Sequence, residues 1–326
     1  MNAMRPGKID GSAALYRNAD RVVWEAAGDR AVDALNGLLT NDLRRPAPGH
    51  VIPCLALTPR GRPLADLGVW KRSADAGAVL LDLPEVGAGP LREHFDRYLP
   101  PRFARIKPLS GAALFRLVGP AAASVTARLI GDAMSPPAPG AMVETRLADG
   151  DLLVAGRRVS AGGGWDLLVP ACSGRVETAL IAAVADVGGT VIGEPEWETF
   201  RIEHGIPRYG QDFDISNLPQ ETGLTDATIS FDKGCYTGQE VVARIHYRGH
   251  VNRRLAGLAG SEAAIPVGTE LYFADRPVGS ATSSVVSPRF GPIALAMIRS
   301  EVNAGALLST SAGGRRSIEL RDLPFT

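Results

Sequence analysis

Apolar positions fall into short alternating runs broken by helical spacings. Arg21 to Ala26 predicts a strand, and Asp29 to Leu39 sets Val32, Leu35, Leu38 and Leu39 on one helical face until Thr40-Asn41-Asp42 interrupts it. Pro53 to Leu57 and Pro63 to Lys71 predict strands flanking the turn Thr58-Pro59-Arg60-Gly61-Arg62, and Ala78 to Leu83 extends that sheet. Leu91, Phe95 and Leu99 predict a helix from Pro90 to Leu99 that stops at Pro100-Pro101. A second unit opens near Ala112, with a strand over Ala113 to Val118 and a helix over Ala121 to Ile130. Strands over Leu152 to Val159 and Trp165 to Val169 flank Gly162-Gly163-Gly164, then a helix over Gly174 to Val187 leads to the strand Thr190 to Ile192. Pro195 to Gly205 predicts a helix with Trp197, Phe200 and Ile202 apolar, and Ile206 to Gly223 has the composition of an ordered loop. Beyond Gly249 come short strands, Arg253 to Leu258, Glu270 to Phe273, Pro277 to Ser284, Ile293 to Ile298 and Ser317 to Leu320, which suit a small barrel or sandwich. The whole is an α+β chain.

At 326 residues the chain exceeds one ordinary core and suits two or three domains of about 100 to 150 residues. Lys plus Arg equals Asp plus Glu at 35 each, so no global field draws it to nucleic acid or an anionic membrane, and no direct nucleic-acid contact is expected. The basic residues divide into 31 Arg and 4 Lys, which makes Lys233 informative. Three scattered cysteines, Cys54, Cys172 and Cys235, predict a reducing compartment, and their spacing offers no metal or cluster site. Met1 to Glu25 lacks an apolar signal core, and the run Ile293 to Ile298, cut by Arg299, is far too short to span a bilayer. A soluble, cytoplasmic bacterial protein is expected.

The densest chemistry lies in Phe231 to Gly249, where Lys233-Gly234-Cys235-Tyr236-Thr237-Gly238-Gln239-Glu240 leads into a helix carrying Val241, Val242 and Ile245. Thr237 and Glu240 have the spacing of a capping box, which predicts Thr237 as N-cap and Gly249 as the helix stop. Cys235 would then face the positive end of the helix with Lys233 nearby, and both favour thiolate over thiol. The same residues also suit a plain helix cap beside a small buried cysteine. His246 and His250, four apart across the helix end, make a poor metal pair.

This segment, with Arg201-Ile202-Glu203-His204-Gly205-Ile206-Pro207 and Asn217-Leu218-Pro219-Gln220-Glu221, resembles the YgfZ-type folate-binding family, relatives of the glycine-cleavage T-protein, an aminomethyltransferase. Leu39-Thr40-Asn41-Asp42, Leu57 to Arg62 and Leu64-Ala65-Asp66-Leu67 follow the pattern both groups share, whereas the T-protein lacks the cysteine octapeptide. The resemblance implies a ring of domains with ferredoxin-like α+β units: a folate-binding domain over 1–110 completed by about 205–248, a second domain over 111–200, and a β-barrel over 250–326. It implies tetrahydrofolate or a derivative as cofactor, and iron–sulfur client or assembly proteins as partners, among them a tRNA-modifying enzyme. Carried over by residue, Glu203 would meet the pterin edge, Asp66 would position folate, and Arg244 would pair with its glutamate tail. Tyr209, Tyr236 and Trp197 would stack on its rings, Asn41 in the shared loop would also bind folate, and Cys235, Lys233 and Asp66 would carry any chemistry. Position 65 is alanine where the T-protein has a second acid, so its transfer machinery is incomplete here. Three functions stay open: a folate-dependent maturation factor, an aminomethyltransferase, and a non-catalytic docking scaffold.

Overall fold

The computed structural model describes residues 12–73, 77–131, 133–157, 164–260, 263–315 and 317–326. Gly162, Gly163 and the end of the strand expected to reach Val159 lie outside these, as does the chain before Ser12. The first elements are β1 (Ala14–Arg17), β2 (Arg21–Ala27), α1 (Ala31–Asn36), β3 (His50–Leu57), β4 (Pro63–Lys71), β5 (Ala78–Pro84), α2 (Glu85–Tyr98) and β6 (Arg105–Pro108). Five of these strands form an antiparallel sheet in the order β3-β4-β5-β2-β6. Successive strand residues face opposite ways, so Ala65, Leu67 and Val69 of β4 join Leu35, Leu91 and Phe95 in a core under α1 and α2. The opposite face carries Val23, Trp70 and Leu80. The parity that buries Leu67 and Val69 under the helices therefore turns Asp66 toward this second face.

Next come β7 (Ala113–Val118), α3 (Ala122–Ile130), β8 (Met142–Leu147), β9 (Gly150–Gly156), β10 (Gly164–Val169), α4 (Gly174–Ala185) and β11 (Thr190–Ile192). Their sheet has the order β11-β1-β7-β10-β9-β8, so Ala14–Arg17, within the range expected for the first domain, is a strand of the second sheet, parallel to β11 and antiparallel to β7. One face packs on α3 and α4 through Leu117, Val125, Val154 and Leu180. The other supplies Leu114, Leu153 and Leu168 to the cluster holding Trp70 and Leu80, so the two sheets stack face to face with helices outside. Each fully buried Leu or Val there stabilises by about 1.5–3 kcal/mol.

The remaining elements are α5 (Glu194–Glu203), α6 (Thr225–Thr228), α7 (Gln239–Arg248), β12 (Arg253–Gly260), β13 (Glu270–Phe273), β14 (Arg276–Ser287), β15 (Gly291–Arg299), β16 (Leu307–Leu308) and β17 (Ile318–Arg321). The third sheet, β13-β14-β15-β12-β17-β16, curls until its two edges meet. Tyr272 N–H donates to the Ser309 carbonyl at 2.8 Å and Ser309 N–H to that of Tyr272 at 3.0 Å, giving a nearly closed barrel without a long free edge. It seats on α5 through Ile202, Ile293, Leu295 and Phe325. Arg201, 1% exposed, pins this contact with bonds to Glu198 (2.5 and 2.6 Å), Asp212 (2.7 Å) and Ser283 (2.6 Å). Among the described residues no helix is long and apolar enough to cross a membrane.

Candidate functional site

Between the stacked sheets lies a cluster of charged side chains. Arg21 Nε donates to Asp82 Oδ1 at 2.7 Å and Arg21 Nη1 to Asp66 Oδ2 at 2.8 Å, while Trp70 Nε1 donates to Asp82 Oδ2 at 2.6 Å. Gly68 makes room for Asp82: a Cβ at position 68 would stand 2.2 Å from Asp82 Oδ2. Burial opposes the charge on Arg21, but the carboxylates of Asp66 and Asp82 outweigh it and hold the guanidinium protonated. Arg157 Nη1 donates to Asp166 Oδ2 at 2.8 Å, and Arg116, buried beside Arg157, is drawn down to about 10 by lost hydration first and the like charge second. The Asp66 side chain keeps 20% exposure. Tyr209 adjoins it, its ring edge-on to Phe213 and its hydroxyl donating to the Pro63 carbonyl at 3.4 Å. Burial pushes this phenol up to about 12, aided by the carboxylates of Asp214 and Asp66. Asp66 and Tyr209 are thus brought together as neighbours, half-buried.

The cysteine octapeptide forms a loop ahead of α7. The expected capping box is not made: Gly238, in the left-handed region with φ 82°, is the N-cap, with no side-chain cap bond, and the helix starts at Gln239. Thr237 N–H is tied instead to the Gly37 carbonyl at 3.1 Å, which draws Thr237 into a loop–loop contact and leaves Glu240 exposed. A Cβ on Gly238 would stand 2.6 Å from the Thr58 carbonyl, so this glycine lets the loop close on the turn at 58–62. Lys233 is buried, and its Nζ donates to the carbonyls of Asn36 (2.6 Å), Leu39 (2.8 Å) and Asn41 (2.8 Å). Burial draws this ammonium down to about 8, so it is still charged at neutral pH. Its role in the loop is a clamp, and the thiol whose field it shares is the fully buried Cys54, which burial pushes up to about 12. Of the three cysteines, Cys235 is the exposed one.

The other expected residues separate. Tyr236, 7% exposed, packs with Leu55, Leu57 and Val242 and lies under the Lys233 ammonium at 5.2 Å, and Trp197 stacks on Tyr16 in a buried cluster; both rings are core. Ser287 Oγ donates to Glu203 Oε1, which turns that carboxylate toward the third sheet. Asn41 Nδ2 donates to the carbonyls of Pro53 and Ala227 at 2.8 and 3.1 Å, joining two loops. Arg244 lines a cleft of about 810 Å³ with Arg60, Arg62 and the half-buried Val241 and Ile245. Sequence reasoning passed over Arg21, Asp82 and Arg201, although Arg201 stands in the segment quoted for Glu203. A polar residue at an inward strand or helix position was the available signal.

A model of the GCVT N-terminal domain matches residues 21–233. The tRNA-modifying protein YgfZ of Edwardsiella ictaluri is 32% identical over 189 residues, 55% of this chain and 56% of that protein. Its namesake in Yersinia enterocolitica is 32% identical over 137 residues, 40% of this chain and 42% of that protein, so the chain spans about half the length of these relatives. An aminomethyltransferase of Alcanivorax borkumensis is 23% identical over 312 residues, 95% of this chain and 82% of that protein. The crystal structure of the glycine cleavage system aminomethyltransferase T from Bartonella henselae superimposes with a TM-score of 0.83 at 20% identity, covering 98% of this chain and 87% of that one, so the T-protein fold expected from the resemblance is the one observed. The chain belongs to the family of the GCVT N-terminal domain, as a YgfZ-type protein related to the aminomethyltransferases.

Proposed function

We propose that this protein binds tetrahydrofolate or a derivative and assists the assembly or repair of iron–sulfur clusters in client enzymes, tRNA-modifying ones among them, through Cys235. The observation that carries this reading is the presentation of the thiol: Cys235 is exposed on a loop that Lys233 clamps from beneath by three carbonyl bonds. A reduced pterin presents N–H donors and a planar face. Asp66, half-buried with one oxygen on Arg21, and the neighbouring Tyr209 ring suit those features, whereas Tyr236 and Trp197 are enclosed and Glu203 is engaged by Ser287. Bound folate supplies a one-carbon carrier and a reduced ring, while Asp66 accepts hydrogen bonds and Tyr209 closes one side from water. In a strain lacking the gene, the wild-type chain is expected to restore activity of the iron–sulfur tRNA-modifying enzymes and Cys235→Ser to leave it low. Full restoration by the serine variant, or a wild type without measurable affinity for tetrahydrofolate, sinks the proposal.

The aminomethyltransferase matching 95% of the chain favours aminomethyl transfer as a second reading. Against it stand Ala65 and the engagement of Asp66 by Arg21. Ammonia released on mixing the protein with an aminomethylated lipoyl carrier and tetrahydrofolate would establish the transferase, and its absence rejects it.

A further inference from the structure

Apart from Arg244, which the family resemblance assigns to the folate glutamate tail, the cleft beside the motif helix has a composition that the folate reading does not use. Arg60, Arg62 and Arg244 stand over apolar side chains that include Pro59, Ile215 and Ile245, and none of the residues lining it is acidic. Among the described residues Arg60, Arg244 and Arg248 make no ion pair, and the Arg62 guanidinium donates to the Ser216 carbonyl at 2.8 Å. Glu240, one turn before Arg244, makes no ion pair with it. Arg248 follows Arg244 by four residues, on the same side of α7. Arg253 and Arg254, a few residues on, are by contrast matched to Glu221 and Asp322. From Val241 to Gly260 the chain contains four arginines and no carboxylate, although its net charge is zero. Unpaired guanidinium groups that converge on a cleft repel one another unless an anion enters.

Planar rings adjoin this charge. His246 stacks on Phe231 with centroids 3.7 Å apart, and Tyr247, 66% exposed, stands edge-on to both. Exposed guanidinium groups beside an exposed aromatic ring suit a chain that alternates phosphates with flat bases. A run of acidic residues alone matches the charge but brings no ring to stack on Tyr247. We propose that the cleft between the 58–62 turn and α7 binds the backbone of a single-stranded RNA segment, with Arg60, Arg62, Arg244 and Arg248 on phosphates and Tyr247 against a base. The expectation of no direct nucleic-acid contact came from the charge of the whole chain, and this surface concentrates one sign locally. The inference goes beyond the folate reading: Asp66 and Tyr209 are not residues of the cleft, and Arg244, expected at the folate glutamate tail, is the one residue the two readings share.

The test is fluorescence anisotropy of a labelled, unmodified tRNA transcript titrated with the full chain at several salt concentrations. Binding is expected to weaken with salt, and Arg60→Ala and Arg244→Ala are each expected to weaken it severalfold while flattening the slope of log affinity against log salt by about 0.7–0.9. Arg60→Lys should keep the slope, and Tyr247→Ala should weaken binding with the slope unchanged. No binding at low salt, arginine variants with the wild-type slope, or equal displacement by polyglutamate of matched charge would overturn the proposal. Displacement of the RNA by tetrahydrofolate would also overturn it, by giving the cleft to folate. Titration of the same variants with tetrahydrofolate separates its failure from that of the folate reading.

Discussion

Three cysteines occupy three environments, and their reactivities should follow. Cys54 is fully buried and its ionisation is pushed from 9 up to about 12, so it reaches at pH 12 the thiolate fraction that a free thiol has at pH 9. Cys172 is half-buried and raised by burial first and Glu177 second. Iodoacetamide at pH 8 is expected to label Cys235 first, Cys172 more slowly, and Cys54 only after denaturation, as peptide mass spectrometry would report. Early labelling of Cys54 refutes this order. Lys233 tests a different residue-scale claim. Replacing it with Met strands two buried carbonyls and a half-buried third, and the expected loss is about 2–4 kcal/mol, since each unmet buried partner costs about 1–3 kcal/mol before relaxation. An unchanged urea midpoint rejects the clamp.

At the scale of elements, Gly238 joins the loop to α7. Gly238→Ala puts a side chain at φ 82° and 2.6 Å from the Thr58 carbonyl, so a loss of about 1–3 kcal/mol is expected in urea unfolding, with the 58–62 turn displaced. A variant as stable as wild type would show that the turn yields freely. Strands with strong alternation were legible: β4 and β13 begin and end where the pattern predicts. β1 was not, because four residues carry too little period and its partners lie about 100 and 176 positions away. α2 begins five residues before the Pro90 taken as its start, because Pro90 leaves only the carbonyl of the exposed Val86 without its helical donor. Thr237 misled for a related reason: the capping pattern is local, whereas the bond that claims its N–H comes from residue 37. The motif's place in the chain was legible, but the acceptors that hold Lys233 are backbone carbonyls without a residue signature.

At the scale of the molecule, Arg201 decides how the barrel sits on the stacked sheets. Arg201→Met leaves Asp212 buried without its cation, and a loss of roughly 3–5 kcal/mol is expected. Limited proteolysis should then release the third sheet early, and an intact, wild-type cleavage pattern contradicts that role. The family resemblance made the three-sheet plan legible. The charge cluster between the sheets was not, because each member is an ordinary Arg or Asp until strand parity faces it inward.

The clamp also reaches into kinetics. Lys233 closes on carbonyls 192 to 197 positions earlier in the chain, and the intervening sequence contains most of both stacked sheets. Contacts of such separation form late, after the intervening units have collapsed. A nascent chain therefore cannot hold the octapeptide in its clamped shape until residue 233 has emerged and the loop at 36–41 is folded to receive it.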